Sequence, residues 1–373
     1  MFLNTRLTSD LVQLRRAGLG RKLTLPNGLD FSSNDYLGLA NHPLLRQLLV
    51  EALEKGLPVG STGSRLLRGH QVQHADLEDN LSAWTGRSAH LLFGSGYDAN
   101  MGVLATLIQS GDTVFSDEKN HASLIDGIRM TKAKKVIFPH NDLAFLAQAI
   151  ESNPAEAKWI VAESVYSMDG DLCDVRSLMN LAEQTGSGLI LDEAHATGLY
   201  GSRWAGLSQD LDSSLVPVVV IHTCGKALGC FGAIVSSSHL VRETLINRCR
   251  KFIFSTATSP ILPVLIQSAL HILGREPDRL TRLWDNIRYF SKGLTALSIP
   301  AQPESPIFPV VLGSNEAALA AAEAIQAQGL DVRAVRYPTV PQGQARLRIT
   351  LSASHSFSDL DQLMDVLSTV VHG

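Results

Sequence analysis

Lys226 stands on a turn with glycines on both sides, shortly after one of the most apolar stretches of the chain. That stretch, Val216–His222, is predicted to be a buried strand, and Gly225 and Gly229 allow the backbone to turn tightly around the lysine. A poorly hydrated amine at a strand end suits imine chemistry with carbonyl compounds. A solvated surface lysine explains this one feature equally well.

A carboxylate ends a second apolar stretch. Asp192 is the last residue of the predicted strand Gly188–Asp192, and His195 follows it three residues later. A carboxylate in that position is partly desolvated and has to pair with a cation or with a hydrogen-bond donor. Taken alone, the Asp-x-x-His spacing is compatible with a capping turn or with one arm of a metal site.

Residues 94–99 form a glycine-containing turn between a predicted strand and a predicted helix. Gly94 and Gly96 permit the turn, and the start of the helix offers unpaired N–H groups and the positive end of the helix dipole. This arrangement suits a phosphate group. The same residues match the G-x-G-x-x-A dinucleotide pattern, so NAD binding and a plain glycine turn are both open at this point.

Together these segments favour one cofactor. Ligands of open α/β sheets bind beyond the carboxyl ends of the strands. A phosphate turn, a carboxylate and a lysine, in that order along the chain, are the parts that a pyridoxal phosphate site requires. An NAD enzyme has no need of Lys226, and a Walker A loop is excluded because its first glycine is missing and Ala227 replaces the hydroxyl residue.

Short apolar stretches alternate with helical patterns through the central two thirds of the chain. The alternation predicts an α/β fold with a mostly parallel central sheet and helices on both faces. A long helical region is expected from residue 261 to about 297, followed by a smaller C-terminal α+β domain. The predicted boundaries are an N-terminal arm over 1–36, a large domain over 37–268 and a small domain over 269–373. The predicted strands of the large domain are Ala89–Phe93, Thr113–Ser116, Lys135–Phe138, Trp159–Glu163, Gly188–Asp192, Val216–His222 and Gly232–Ser236.

The composition narrows the class of protein further. The chain has 373 residues, with 32 Lys and Arg against 36 Asp and Glu, so no basic field favours nucleic acid as a partner. The four cysteines form no CxxC pair and no zinc pattern. No apolar stretch approaches the 18 residues of a membrane span, and no signal peptide is recognisable. A cytoplasmic protein with free thiols is expected.

These motifs, in this order, resemble the α-oxoamine synthases, a branch of the fold-type I pyridoxal-phosphate enzymes. The resemblance extends over nearly the whole chain. The matching segments are Phe31–Gly38, Gly60–Arg65, Ser95–Tyr97, Asn120–Ser123, Ser167–Asp171, Asp192–His195, Thr223–Lys226 and Ala345–Leu351.

The resemblance implies a role for each matching position around the cofactor ring. Lys226 is expected to hold the cofactor as an imine and to remove the Cα proton of the substrate. Asp192 is expected to keep the pyridine nitrogen protonated, and His121 to stack on the ring face, although a lone histidine is more often structural. His195 and Ser167 are expected beside the phenolic oxygen of the ring.

The phosphate contacts are implied in the same way. Gly96, Tyr97 and Thr223 match phosphate-binding positions of the family. Ser255 and Thr256 match a segment that reaches the phosphate of the neighbouring subunit, so a homodimer is expected. Tyr97 departs from the family pattern, since many relatives carry Phe there.

The resemblance also implies the substrates. Arg348 resembles the arginine that binds the amino-acid carboxylate, and Asn34 resembles a residue of the same pocket. The segments Arg336–Pro341 and Ala345–Leu351 favour the branch that condenses L-alanine with a pimeloyl thioester, carried by CoA or by an acyl carrier protein, in the biotin pathway. Three alternatives stay open: a sister synthase that takes glycine with acetyl-CoA or succinyl-CoA, an NAD-dependent oxidoreductase, and a catalytically silent binding protein of the same fold.

Overall fold

A computed structural model describes residues 2–211 and 214–372 of the chain. Most strands coincide with the predicted ones to within two residues at each end. The strands are β1 (Leu29–Asp30), β2 (Ala89–Phe93), β3 (Thr113–Asp117), β4 (Lys134–Phe138), β5 (Lys158–Glu163), β6 (Gly188–Asp192), β7 (Val218–Thr223), β8 (Ala233–Ser237), β9 (Ile307–Gly313), β10 (Leu330–Asp331), β11 (Arg333–Val335) and β12 (Ala345–Thr350).

The helices follow most strands of the large sheet, as the alternation predicted. They are α1 (Phe2–Arg16), α2 (Pro43–Glu54), α3 (Val72–Asn80), α4 (Ser82–Thr85), α5 (Gly96–Leu107), α6 (Ala122–Met130), α7 (Leu143–Ser152), α8 (Val175–Thr185), α9 (His239–Arg248), α10 (Arg250–Ile253), α11 (Ile261–Arg275), α12 (Asp278–Ala296), α13 (Asn315–Gln326) and α14 (Phe357–His372). Within the described ranges, no helix is long and apolar enough to cross a membrane.

Two prolines account for differences from the prediction. The strand expected from Val216 begins at Val218 instead, because Pro217 has no N–H to contribute to the sheet. The helical region expected from residue 261 to about 297 is divided into α11 and α12, with Pro277 between them. Proline disfavours helical backbone at the residue before it, so α11 ends and a new helix begins.

The large sheet has the strand order β2-β8-β7-β6-β5-β3-β4. The five strands from β7 to β4 are parallel to one another, whereas β8 is antiparallel to both β7 and β2. The prediction of a mostly parallel central sheet is therefore confirmed. The carboxyl ends of β3, β5, β6 and β7 all lie at one edge of this sheet.

The sheet is buried on both faces, which explains why its strands are apolar without alternation. In β7, Val219 and Ile221 pack into one apolar cluster with side chains of α5 and α6. Val218 and Val220 pack into a second cluster with side chains of α7 and α8. Successive side chains of a strand point to opposite faces, so one apolar run supplies both clusters.

The chain divides into two compact units. The large unit contains residues 37–167, 171–211 and 214–280, and it holds the seven-stranded sheet. The small unit contains residues 2–36, 168–170 and 281–372. In the small unit, β12 lies between β11 and β9 and is antiparallel to both, while β1 pairs with β10 in parallel.

Candidate active site

The carboxyl ends of three parallel strands bring polar residues together in the large unit. Glu163 ends β5, Asp192 ends β6 and Thr223 ends β7. Glu163 and Asp192 are direct partners in the parallel register. Beyond these ends, β6 leads into the segment that carries His195, and β7 leads into the turn that carries Lys226. Ligands of such sheets bind at this edge.

Lys226 lies next to His195. Its Nζ is 2.8 Å from Nε2 of the buried His195 ring, and the lysine itself is half-buried. The turn around it depends on Gly229, which has a φ of +60° and whose added Cβ would lie 2.3 Å from the backbone nitrogen of Ala40. At Gly225 an added Cβ would come no closer than 3.6 Å to another residue. Of the two glycines that suggested the turn, Gly229 is the one that it requires.

Asp192 is a buried carboxylate with a hydrogen-bond donor on each oxygen. Its Oδ1 accepts from the backbone N–H of Ala194 at 2.8 Å, and its Oδ2 accepts from Nδ2 of Asn100 at 2.6 Å. Nδ2 of Asn100 also donates to Oγ of Ser123 at 2.9 Å. The hydrogen bond to Oδ1 forms the capping turn that the Asp-x-x-His spacing allowed. The buried hydrogen bond to Oδ2 orients the carboxylate from a second side.

Glu163 is a second buried carboxyl group beside Asp192. Its Oε1 accepts a hydrogen bond from the backbone N–H of His121 at 2.5 Å. Burial, and then the negative charge of Asp192, raise the pKa of Glu163 well above its usual range. The raised pKa favours the protonated form of the Glu163 carboxyl group.

His121 is the N-cap residue of α6, and its ring is exposed. Its Nδ1 lies 2.7 Å from Oγ of Ser123 and accepts from the backbone N–H of the same residue at 3.2 Å. The ring of Tyr97 meets it edge-on, with 6.4 Å between the ring centroids. Tyr97 is held in turn by a short hydrogen bond from its hydroxyl to Oδ2 of Asp126. Ser123 thus holds Nδ1 of the imidazole while the His121 side chain stays exposed.

The predicted phosphate turn is the first turn of α5. Ser95 is its N-cap residue and accepts a hydrogen bond from the backbone N–H of Asp98 at 3.0 Å. The amides of Gly96 and Tyr97 belong to the same turn, where N–H groups have no acceptor within the helix. A Cβ on Gly96 would lie 2.4 Å from Oγ1 of Thr223, so glycine allows the helix start and the end of β7 to approach each other.

This close approach gives a direct test of the phosphate turn. The Gly96→Ala variant has to displace the Thr223 hydroxyl, and we expect it to bind pyridoxal phosphate about tenfold more weakly, the loss of roughly one hydrogen bond to a charged group. Titration of the cofactor-free protein with pyridoxal phosphate measures the effect. Gly274→Ala in α11 is the matched control, because an added Cβ there meets nothing within 4 Å. Equal affinity in Gly96→Ala and wild type would contradict the assignment.

Three further predicted residues of the large unit are exposed or half-buried. Ser167 is half-buried, whereas Ser255 and Thr256 are exposed. Ser255 and Thr256 line a cavity with Gly94 and Asp98, close to the start of α5. The roles expected for these three residues remain predictions.

The two residues predicted to bind the substrate carboxylate are together in the small unit. Nη2 of the buried Arg348 donates to Oδ1 of Asn34 at 3.1 Å, and the hydroxyl of Tyr36 donates to the same oxygen at 3.0 Å. Burial raises the pKa of Tyr36 to about 12, despite the opposing charge of Arg348, so its hydroxyl stays a donor. Asn34 is thereby held against the guanidinium group.

The residues at the edge of the large sheet fit pyridoxal phosphate. A phosphate needs N–H donors, which the start of α5 supplies. A protonated pyridine nitrogen needs a buried carboxylate, and Asp192 is one. The ring needs a flat partner and an amine, which His121 and Lys226 offer. Oδ1 of Asn100, next to Asp192, is buried and has no hydrogen-bond partner in the described ranges. This oxygen can therefore still accept a hydrogen bond.

Comparisons with known proteins agree with this reading. The family model described as aminotransferase class I and II matches residues 26–367. An 8-amino-7-oxononanoate synthase of Anaeromyxobacter dehalogenans is 42% identical over 344 residues, which cover 92% of this chain and 86% of that protein. A serine palmitoyltransferase structure from S. paucimobilis with bound PLP superimposes with a TM-score of 0.89 and 27% identity, covering 98% of this chain and 96% of that one. For an 8-amino-7-oxononanoate synthase structure from Francisella tularensis the TM-score is 0.80 at 27% identity, covering 92% and 98%.

The chain belongs to the class I and II aminotransferase family and has the fold-type I architecture of pyridoxal-phosphate-dependent transferases. Its cofactor is pyridoxal phosphate. Relatives that are 41% and 42% identical to this chain carry the name 8-amino-7-oxononanoate synthase, the kind of enzyme that the sequence resemblance implied. The predicted family, fold, enzyme class and cofactor are therefore confirmed.

Sequence reasoning missed several side chains that hold the site together. Glu163 occupies the same strand-end position as Asp192, so the rule that selected Asp192 could have selected it too. Asn100 and Ser123 gave no signal of their own, because each acts through a contact to a residue distant in the sequence. Tyr97 and Asp126 are linked across α5 and α6 in the same way.

Proposed function

We propose that this protein catalyses the decarboxylative condensation of L-alanine with a pimeloyl thioester to 8-amino-7-oxononanoate, CO₂ and a free thiol. The observation that carries the proposal is the pairing of the Lys226 amine with His195 at 2.8 Å, on the sheet edge that also carries Asp192. The names of the relatives support this choice of substrates. The reaction forms a bond from Cα of alanine to the thioester carbonyl carbon. It breaks the thioester C–S bond and the bond from Cα to the alanine carboxylate.

Bound pyridoxal phosphate supplies a ring that accepts the electron pair left on Cα. The protein would keep that ring electron-poor through Asp192, whose carboxylate is oriented by two hydrogen-bond donors. His121 covers one face of the site with an imidazole whose edge is already bonded. Because these groups are oriented by the fold, little reorganisation is needed when charge develops.

Lys226 has two tasks in this proposal. Its amine attaches the cofactor before the substrate arrives, and the same Nζ, once released, removes the proton from Cα. Nε2 of His195 lies within hydrogen-bond distance of that Nζ and can hold a proton at this atom. The lysine therefore has a partner with which to exchange a proton while the C–C bond forms.

For substrate binding we propose Arg348 and Asn34. The guanidinium group is suited to a carboxylate because it presents paired N–H donors in one plane. Its contact to Oδ1 of Asn34, and the contact of Tyr36 to the same oxygen, restrict the guanidinium orientation before alanine binds. A restricted clamp lowers the entropic cost of orienting the amino acid.

We further propose that the enzyme is a homodimer located in the cytoplasm. Ser255 and Thr256 are exposed in the single chain, which leaves their hydroxyl groups accessible to the phosphate of a second subunit. The four cysteines are free thiols, as expected in a reducing compartment. Whether the acyl group arrives on CoA or on an acyl carrier protein is tested together with the reaction.

The decisive experiment measures thiol release by the purified enzyme with a panel of amino acids and acyl thioesters. We expect release to depend on L-alanine and to be fastest with the pimeloyl chain, because the sequence relatives are synthases of that kind. Glycine with acetyl-CoA or succinyl-CoA represents the sister synthases, and L-serine with palmitoyl-CoA represents the structural relatives. Pimeloyl-CoA and pimeloyl carrier protein are compared at equal concentration. Faster turnover with any other amino acid and acyl pair would overturn the proposed substrates.

A further inference from the structure

His140 lies between two carboxylates in the large unit. It follows β4, and its side chain is 13% exposed. Nδ1 is 3.0 Å from Oδ1 of Asp117, whose side chain is 1% exposed. Nε2 makes a short contact with Oδ2 of Asp171. The backbone N–H of Asn141 also donates to Oδ2 of Asp117, at 3.0 Å.

Both ring nitrogens of His140 therefore face carboxylate oxygens, and Nδ2 of Asn141, which donates to Oδ2 of Asp171 at 3.4 Å, lies 3.3 Å from Nε2. A neutral imidazole has one N–H and leaves the other nitrogen as an acceptor, which a carboxylate would repel. Only the doubly protonated ring donates to both aspartates. Burial opposes the charged ring, but the hydrogen bonds that the ring donates to Asp117 and Asp171 outweigh the effect of burial and raise the pKa of His140 to about 9.

The two aspartates belong to segments that carry predicted site residues. Asp117 ends β3, and the chain continues from it to His121 four residues later. Asp171 belongs to a hairpin that has Ser167 near its tip. In this hairpin the N–H of Tyr166 donates to the carbonyl of Asp171 at 3.0 Å, and that of Cys173 donates to the carbonyl of Ser164 at 2.9 Å.

We propose that the His140 imidazolium is a positioning residue that fixes the His121 segment and the Ser167 hairpin relative to each other by donating to Asp117 and Asp171. The proposal deepens the proposed function and rests on it, because both segments matter only as parts of a cofactor site. In this proposal His140 acts through the two aspartates that it contacts. Loss of the ring charge would leave one of the two carboxylates without its N–H donor from the ring.

Among His140 and the neighbouring phenol and thiol, His140 is the first group to lose a proton as the pH rises. The ring edge-on to it is that of Tyr166, with 4.4 Å between centroids. The backbone N–H of His140, as distinct from its ring, donates to Oε1 of Glu118 at 3.1 Å. The thiol of Cys173, which lies near Asp117, has its pKa raised to about 12 by burial and by that aspartate. Neither the phenol nor the thiol loses a proton below the pH at which His140 does.

The direction of the pH effect follows from the raised pKa. The contribution of His140 to folding is fully present below its unfolded pKa of about 6.5, and it is lost as the pH rises through about 9. We therefore expect the melting temperature of the wild type to fall between pH 7 and pH 10. This fall should be several degrees larger than the fall measured over the same range for a variant without the ring.

His140→Gln tests the proposal because glutamine can donate to one aspartate but not to both. We expect faster hydrogen exchange in the 164–173 hairpin, altered circular dichroism of the bound cofactor and about tenfold lower kcat, with little change in KM for the amino acid. The exposed His239→Gln is the matched control and should behave as wild type in each measurement. Wild-type cofactor dichroism and kcat in a folded His140→Gln protein would overturn the proposal.

Asp171→Asn is a milder variant in case His140→Gln does not fold, because the Asp171 side chain is 35% exposed. The amide still accepts from Nε2 but carries no charge, so the alkaline fall in stability and in kcat should shift to lower pH by about one unit. An unshifted pH profile would contradict the proposal. Hydrogen exchange and the melting curves need no substrate, so they report on His140 even if the panel of thioesters shows a different reaction.

Discussion

The Lys226→Ala variant is expected to lose turnover by at least about 10⁴-fold, the upper range for removal of a positioned acid or base. It should also lose the long-wavelength absorbance of the covalently held cofactor. Both effects have one cause, because the Lys226 amine, 2.8 Å from Nε2 of His195 beyond the end of β7, is proposed both to hold the cofactor and to move the proton. Steady-state thiol release and the visible spectrum of the purified protein measure them. A Lys226→Ala protein with normal turnover would overturn the assignment.

The Lys226→Arg variant separates the effect of the amine from the effect of its charge, and Lys55→Ala is the control. Lys226→Arg keeps a positive charge near His195, but a guanidinium group stays protonated and cannot serve as a nucleophile or as a base. We expect it to be as inactive as Lys226→Ala. Lys55→Ala removes an exposed lysine of the same unit and should leave activity and spectrum unchanged. Substantial activity in Lys226→Arg would mean that the charge, not the amine, is what the reaction uses.

The candidate cofactor site of the large unit could be predicted from the sequence because its residues follow a local rule. Lys226, Asp192 and Gly96 each stand at or just beyond the carboxyl end of an apolar strand, and parallel strands place those ends at one edge of the sheet. The strands themselves are recognisable because burial on both faces makes them continuously apolar. Local pattern and global fold therefore agree here.

The supporting contacts could not be predicted in the same way. Asn100 reaches Asp192 across 92 positions, and His140 reaches Asp171 across 31. Such pairs depend on how helices and loops pack, and their residue types are common in capping turns. In the small unit, β1 pairs with β10 although Leu29 and Leu330 are distant in the sequence. No periodicity within a short window reports a pairing of that kind.

Asp192→Asn should have the second largest effect, a fall in kcat of about 10²–10³-fold, as for removal of one preorganised electrostatic contact. The change keeps the shape of the side chain but removes the charge that we propose holds a proton on the pyridine nitrogen. It also places an NH₂ group where Oδ1 or Oδ2 now accepts, so one of the contacts to Ala194 and Asn100 is lost. Cofactor should remain bound, because the phosphate turn and Lys226 are untouched.

The control for this prediction is Asp112→Asn. Asp112 is also buried, and its Oδ2 accepts from the backbone N–H of Gln109 at 2.8 Å, but it lies just before β3, at the opposite edge of the sheet. We expect Asp112→Asn to lower the melting temperature without lowering kcat by more than about twofold, since it removes one buried hydrogen bond. Asp192→Asn should lower kcat far more, by the 10²–10³-fold expected for an electrostatic contact in the site. In that variant the pKa of Glu163 should also fall, because the neighbouring negative charge is gone. A wild-type kcat in Asp192→Asn with cofactor bound would show that the ring does not need this carboxylate.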